Sequence, residues 1–338
     1  SFVTGQVSQA AGDNYFTGFI TESVEPIVWF AVFLLLTAAV VFIGVQKGIE
    51  KASTILMPIL IILIVCISIF CATRPGALAG VKYYLLPDIK HFSATTVLAA
   101  MGQLFYSMSL AMGIMITYGS YMKKEDDLRD SVRKIEIFDT VVALLAGLMI
   151  VPSVFAFSGG SKEALSKGPS LMFVTMPKVF NSMKIGSLIG AGFFILVLFA
   201  ALTSAISLLE TNVSIICDKL HWSRKKSTVV ATLYCLIVGG LISLGYGPLS
   251  FIKIIGMNLL DFFDFISNSV LMPIVAMLTC IFIGYIVKPK TIIDEVELGG
   301  KTFKEKKFYV VMLKYVAPVC LLLILLFAVS EALGLIKV

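Results

Sequence analysis

The sequence predicts an all-α polytopic membrane protein, and three observations carry that prediction. Apolar residues make up 58% of the 338-residue chain and charged residues 14%, where soluble globular domains carry roughly 45–50% and about 25%. The apolar residues gather into eight stretches, at about 26–45, 54–72, 94–118, 137–157, 188–216, 229–246, 260–287 and 309–336. Each is close to the ~20 residues that cross a hydrocarbon slab ~30 Å thick. Finally, the charge alternates: 17 of the 27 Lys and Arg fall in VQKGIEK, KKEDDLRDSVRK, DKLHWSRKK and KPKTIIDEVELGGKTFKEKK, in every second connection. Basic residues collect on the cytoplasmic side, so these four loops face inward and both chain ends face outward. The net charge of +6 is therefore a topology signal, and no nucleic-acid partner is expected.

Residues 1–25 form a polar, Gly-containing outer loop that opens on Ser1 with no signal-peptide pattern. The expectation is that a segment upstream is missing and that this loop is truncated. The first two spans make a hairpin around GVQKGIEKAS. The outer loop 73–92 has turn-forming Pro75-Gly76 and Pro87-Asp88 with interfacial aromatics. The third span contains GQLFYSMSLAMGIMITYGSY, residues 102–121. On a regular helix Ser107 and Ser109 point to nearly opposite faces, since two residues turn about 200°. Both serve one site only if the helix breaks there, and non-helical backbone at membrane depth is tolerated where it lines a cavity or is buried in protein.

Asp139 in KIEIFDTVVALLAGL leaves two readings open. A helix starting near hydropathy's edge makes it an unremarkable interfacial carboxylate. A helix starting near Arg133 carries it inward as a buried anion needing a cation. Residues 158–187 form a long outer loop, broken at Gly159-Gly160 and Gly168-Pro169 around SKEALSK, of a length typical of a lid or binding element. In FAALTSAISLLE, residues 199–210, Ala200, Thr203 and Ser204 share one helix face at i, i+3 and i+4. Two hydroxyls beside the Ala200 carbonyl give three neutral oxygens, about half the shell a hard cation takes. The bland alternative is that these hydroxyls only bond back to their own helix. Asp261 and Asp264 sit at the outer end of their span, either as a gate or as solvated interface residues.

The six cysteines form no CxxC and only two His accompany them, so a zinc or haem site is not expected. The sequon Asn212-Val213-Ser214 lies within a span, which favours a non-glycosylated, bacterial context. No His-Glu metal motif, paired midspan aspartates or nucleophile–base pair is present, so an intramembrane enzyme is not expected.

With GVQKGIEKASTILMP, GQLFYSMSLAMGIMITYGSY, GPSLMFVTMPKVF, FFILVLFAALTSAISLLE and WSRKKST in this order, the chain resembles the neurotransmitter:sodium symporter family, particularly its bacterial amino-acid members of eleven helices. The resemblance implies an inverted-repeat fold with broken helices at a midplane site. The eight spans become the family's fourth to eleventh helices, with the first three missing. Residues 26–336 become one transmembrane domain, within which 93–287 hold the complete second repeat. It implies sodium ligands at Ser107, Asp139, Ala200, Thr203 and Ser204, and an amino-acid pocket from Tyr106, Ser109, Ala111, Met112, Ala205 and Leu208. Outer-gate roles fall on Gln103 and Asp264, inner-gate roles on Tyr121 and Asp218. Asp139 followed by Ala143 matches the bacterial pattern in which the ligand supplies the negative charge, so chloride is not expected. The expected function is sodium-coupled amino-acid symport by alternating access in the cell membrane, a bacterial inner membrane, with this chain an N-terminally truncated form inactive alone. A non-transporting membrane scaffold or regulatory remnant is the alternative.

Overall fold

The computed structural model describes residues 7–12, 14–89, 92–159, 169–298, 302–332 and 334. The described chain is helical apart from one isolated bridge between Ile254 and Met257. In order the helices are α1 (Val7–Ala10), α2 (Tyr15–Thr21), α3 (Glu25–Ile43), α4 (Lys51–Ala72), α5 (Ala77–Leu85), α6 (Ala94–Ser107), α7 (Ile114–Ser120) and α8 (Leu128–Ser158). They continue with α9 (Met176–Asn181), α10 (Gly186–Leu220), α11 (Arg224–Ser243), α12 (Leu259–Asp264), α13 (Met272–Ile281), α14 (Pro289–Val296), α15 (Lys306–Val311) and α16 (Ala317–Ala332). π-helical turns at Val45–Glu50, Phe265–Leu271, Phe282–Val287 and Met312–Val316 extend or join them.

Among the described residues seven continuous helices are long and apolar enough to cross a membrane: Glu25–Ile43, Lys47–Ala72, Leu128–Ser158, Gly186–Leu220, Arg224–Tyr246, Leu259–Val287 and Lys306–Ala332. The eight spans expected from hydropathy are thus corrected to seven. The eighth stretch, 94–118, is divided into α6 of 14 residues and α7 of 7, and neither reaches the ~20 residues a crossing needs. Hydropathy averages over a break without seeing it.

Two stretches expected as loops are helical. The described part of 1–25 contains α1 and α2, and the loop 73–92 contains α5. In the loop 158–187, residues 171–181 form a π-helical turn and α9, while the Gly160 and Gly168 breaks and SKEALSK lie outside the described residues.

The chain divides into two compact units. The first comprises Ser1–Asp88 and Thr140–Ile252, the second Ile89–Asp139 and Lys253–Val338. In the first, α3, α4, α10 and α11 pack on one another. A cluster built on Phe180, Phe193, Met176 and Cys71 gathers α1, α4, α9 and the outer part of α10, and Phe16 stacks on Phe173 at 5.3 Å. Apolar association gains little between helices in lipid, so interhelical hydrogen bonds contribute. The Ser68 hydroxyl donates to the Leu145 carbonyl at 2.7 Å, joining α4 to α8, and the Tyr84 hydroxyl of α5 donates to the Ala143 carbonyl at 3.3 Å. In the second unit α13 packs on α16, and α16 on α6.

The strongest polar tie in the first unit joins three helices. The last carbonyls of a helix lack intrahelical partners. Near the end of α3, the Val41 carbonyl accepts from Arg224 Nε at 3.1 Å and Nη2 at 2.9 Å. Arg224 Nη1 donates to Glu210 Oε1 at 2.9 Å and Nη2 contacts Oε2. Glu210 is fully buried on α10. Arg224→Ala would leave that carboxylate without its cation, an arrangement that costs about 3–5 kcal/mol. Thermal unfolding in detergent should show a Tm lowered to match, and Arg224→Met combined with Glu210→Leu should restore most of it.

Candidate ion- and substrate-binding site

The site begins where α6 stops. Met108, Ser109 and Leu110 donate back to Leu104, Tyr106 and Phe105 carbonyls at 3.0, 3.1 and 3.0 Å, closing the last turn. The chain then turns through three left-handed positions, Ser109 (φ 54°), Ala111 (φ 61°) and Gly113 (φ 81°), before α7 starts at Ile114. Only Gly adopts φ > 0 freely; a residue with Cβ there loses roughly 1–2 kcal/mol. The break is therefore held by its surroundings and not by local preference at Ser109 and Ala111. Of the last four α6 carbonyls, those of Leu104, Phe105 and Tyr106 are thereby answered by the backbone of the break itself.

Ser107, the last residue of α6, donates its hydroxyl to Asp139 Oδ1 at 2.6 Å. Asp139 is half-buried. Helix α8 starts at Leu128, so Asp139 lies about 16 Å along it at ~1.5 Å per residue. The helix thus begins ahead of Arg133, the condition set for the inward reading, while Asp139 itself is half-buried and not enclosed. Ser107 and Asp139 both belong to the second unit.

Also in the second unit, a cavity of about 390 Å³ opens beside α6, lined by Gly102, Gln103, Tyr106, Asp264, Asn268 and Glu331 among others. The expected outer-gate pair, Gln103 and Asp264, and the expected substrate lid, Tyr106, therefore share one cavity wall. Asp264 accepts from Asn268 Nδ2 at 2.6 Å. Asp261 has a different task. It accepts from Asn258 Nδ2 at 2.6 Å, while Asn258 Oδ1 accepts the Asp261 N–H at 2.9 Å, a capped helix start. Ser109, Ala111 and Met112 are half-buried within the break. Tyr121 ends α7, its ring 6.4 Å from that of Tyr118.

In the first unit, Ala200, Thr203 and Ser204 lie on the continuous helix α10. The Thr203 hydroxyl donates to the Ala200 carbonyl at 3.0 Å and to Phe199 at 3.1 Å. It thereby holds two of the expected oxygens within contact of each other. Ser204 is exposed and makes no hydrogen bond among the described residues. Ala205 is half-buried and Leu208 exposed on the same helix, and Asp218 is exposed near its end. Sequence reasoning did not anticipate Asn268 and Glu331 in the cavity wall, or the Arg224–Glu210 pair. Arg224 is one of the 17 residues that carry the topology signal, and that role hid its structural one.

Comparison with known proteins then decides the family. The Sodium:neurotransmitter symporter family matches residues 19–335. The sodium-dependent transporter YhdH of Bacillus subtilis is 36% identical over 95% of this chain and 70% of its own. A sodium-dependent transporter of Haemophilus influenzae is 30% identical over 97% and 70%. The chain belongs to the sodium:neurotransmitter symporter family.

The crystal structure of MhsT in complex with L-phenylalanine superposes with a TM-score of 0.85 at 37% identity, covering 97% of this chain and 74% of that one. The resemblance drawn from the sequence is borne out at the level of the family. The protein is a multi-pass membrane protein of a sodium-dependent transporter family and not an enzyme.

Strain at the break is measurable in this symporter. Ala111→Gly removes a Cβ from a left-handed position and should raise stability by up to about 1 kcal/mol, while Gly113→Ala should lower it by a similar amount. Melting temperatures in one detergent check both signs.

Proposed function

We propose that the protein is a sodium-coupled amino-acid symporter working by alternating access. The observation that carries this is the Ser107 hydroxyl bound to the half-buried Asp139 carboxylate at the mouth of a broken helix. A cation taken out of water is stable only beside an anion or a full set of oxygens. Asp139 supplies the anion, and the Ser107 oxygen supplies a neutral ligand of the kind sodium takes. Because the ligand itself brings the compensating charge, chloride is not required. On α10, Ala200, Thr203 and Ser204 are proposed as ligands of a second sodium ion.

Tyr106, Ser109, Ala111 and Met112 are the proposed substrate contacts of the second unit, Ala205 and Leu208 those of the first. Their side chains are mostly apolar, and MhsT is seen with L-phenylalanine. Both support a hydrophobic or aromatic L-amino acid as substrate. Gln103 and Asp264 are proposed to close the outer side, Tyr121 and Asp218 the inner.

The test is uptake of radiolabelled L-phenylalanine into proteoliposomes under a sodium gradient. Replacing chloride with gluconate should leave uptake unchanged. Asp139→Asn keeps the shape and removes a unit charge beside the ion, and the half-saturating sodium concentration should rise at least about tenfold. Unchanged sodium dependence in that variant, or loss of uptake without chloride in the wild type, would refute the reading.

A further inference from the structure

Lys314 is not used by anything described so far. It lies eight residues inside the helix Lys306–Ala332, about 12 Å along its axis at ~1.5 Å per residue. A cation at membrane depth is expensive and marks a functional position unless it is paired or reaches the interface. Among the described residues no carboxylate lies within ion-pair distance of Lys314. Its Nζ instead sits 5.2 Å from the centre of the Tyr285 ring, and the Tyr285 hydroxyl donates to the Lys314 carbonyl at 3.2 Å. The stem lies close along Gly284, where a Cβ would come within 3.3 Å of Lys314 Cγ. Both residues stand on π-helical turns, Phe282–Val287 and Met312–Val316, which touch each other.

Side chains on a helix lean toward its N-terminus. For Lys314 that is the Lys306 end, where the loop KPKTIIDEVELGGKTFKEKK, which holds more Lys and Arg than any other, meets the helix. The neighbouring strand of chain is basic too. Three residues after Tyr285 the chain turns at Lys288 (φ 73°), followed by buried Pro289 and exposed Lys290. Lys288 and Lys290 are exposed and have no carboxylate partner among the described residues. The acidic groups of the loop are committed elsewhere or apart: Glu297 to Lys306 at 2.7 Å, Glu305 to Arg129 at 2.6 Å, while Asp294 and Glu295 on α14 make no ion pair with these lysines. Tyr285 and Tyr315, 52% and 61% exposed, mark the interface level, and Ile286, Phe308 and Val311 around them are exposed and apolar.

We propose that Lys314, Tyr285, Lys288 and Lys290 hold the headgroup of an anionic phospholipid in the leaflet on the basic side of the membrane. Lys314 lies deeper than a water-borne anion samples, and the exposed apolar side chains beside it are covered by the acyl chains of the same lipid. Each lysine near an anionic headgroup contributes about 1 kcal/mol, a factor of about fivefold.

Native mass spectrometry of the whole chain, equilibrated with phosphatidylglycerol or phosphatidylcholine of identical acyl chains, reads this directly. The wild type should retain phosphatidylglycerol selectively. Lys314→Met keeps the stem, removes the charge and should weaken that retention about fivefold, leaving phosphatidylcholine retention unaltered. Lys288→Gln should act in the same direction from the exposed side, where folding is not at stake, and Lys253→Gln should change nothing. Equal retention of the two lipids by the wild type, or undiminished phosphatidylglycerol retention in both Lys314→Met and Lys288→Gln, would overturn the assignment. Displacement of the lipid by excess inorganic phosphate would overturn it in favour of a site for a free anion.

Discussion

A backbone N–H or C=O facing hydrocarbon has no water to bond to, and this one constraint organises the whole chain. It explains why the described residues are almost entirely helical. It also explains the habits of the buried hydroxyls: Thr37, Ser153, Thr211 and Thr232 each donate to the carbonyl four residues earlier on their own helix. Where a helix ends inside the protein, something must answer for its carbonyls. At the end of α3 that is Arg224, whose guanidinium also neutralises the fully buried Glu210 carboxylate. The break between α6 and α7 is the conspicuous departure from the constraint, with two non-glycine residues at positive φ. Strain of this kind persists where the surroundings over-determine it, and it concentrates at binding sites.

The hydrogen bond from Ser107 to Asp139 is best understood against that background. A carboxylate part-way along a membrane helix would normally be neutralised or paired. Here it meets the Ser107 hydroxyl at the end of α6, a neutral oxygen that can serve the proposed cation together with the carboxylate. The cavity beside α6, with Asp264 and Glu331 in its wall, carries the same sign of charge, so an ion approaching through it meets no basic residue among the lining side chains. Charge of one sign along a low-dielectric cleft raises the local concentration of the opposite ion.

Much of this was legible in the sequence, and the parts that were not have physical reasons. Hydropathy found the long helices because each one needs a long apolar run. It failed at 94–118, since a broken helix and a continuous one have the same mean hydropathy. The break itself was nevertheless readable from Ser107 and Ser109, whose spacing cannot serve one face. Asp139 could not be placed from sequence because charged residues such as Arg133 and Lys134 lower the mean hydropathy of a helix that in fact begins at Leu128. The helix α5 was hidden because Pro75-Gly76 and Pro87-Asp88 are turn signals, and they turned out to bound a helix instead of filling a loop. The Arg224–Glu210 pair spans two helices, and single-sequence periodicity carries no information about which faces meet.

Thr203 shows why the bland and the functional readings of a membrane hydroxyl are not rivals. A hydroxyl has one proton to give and two lone pairs to offer. In this structure the proton is directed at the Ala200 and Phe199 carbonyls, at 3.0 and 3.1 Å, which is the ordinary back-bond of a threonine in a helix. The same geometry holds the Ala200 oxygen beside the Thr203 hydroxyl oxygen. A cation at that face would draw the proton wholly onto Phe199 and leave both the Thr203 and Ala200 oxygens as ligands, with no side-chain rotation needed. Ser204, one residue on and without a hydrogen-bond partner among the described residues, has its oxygen available on the same helix. The back-bond is therefore compatible with the proposed ion site, since it keeps two of the proposed ligand oxygens together.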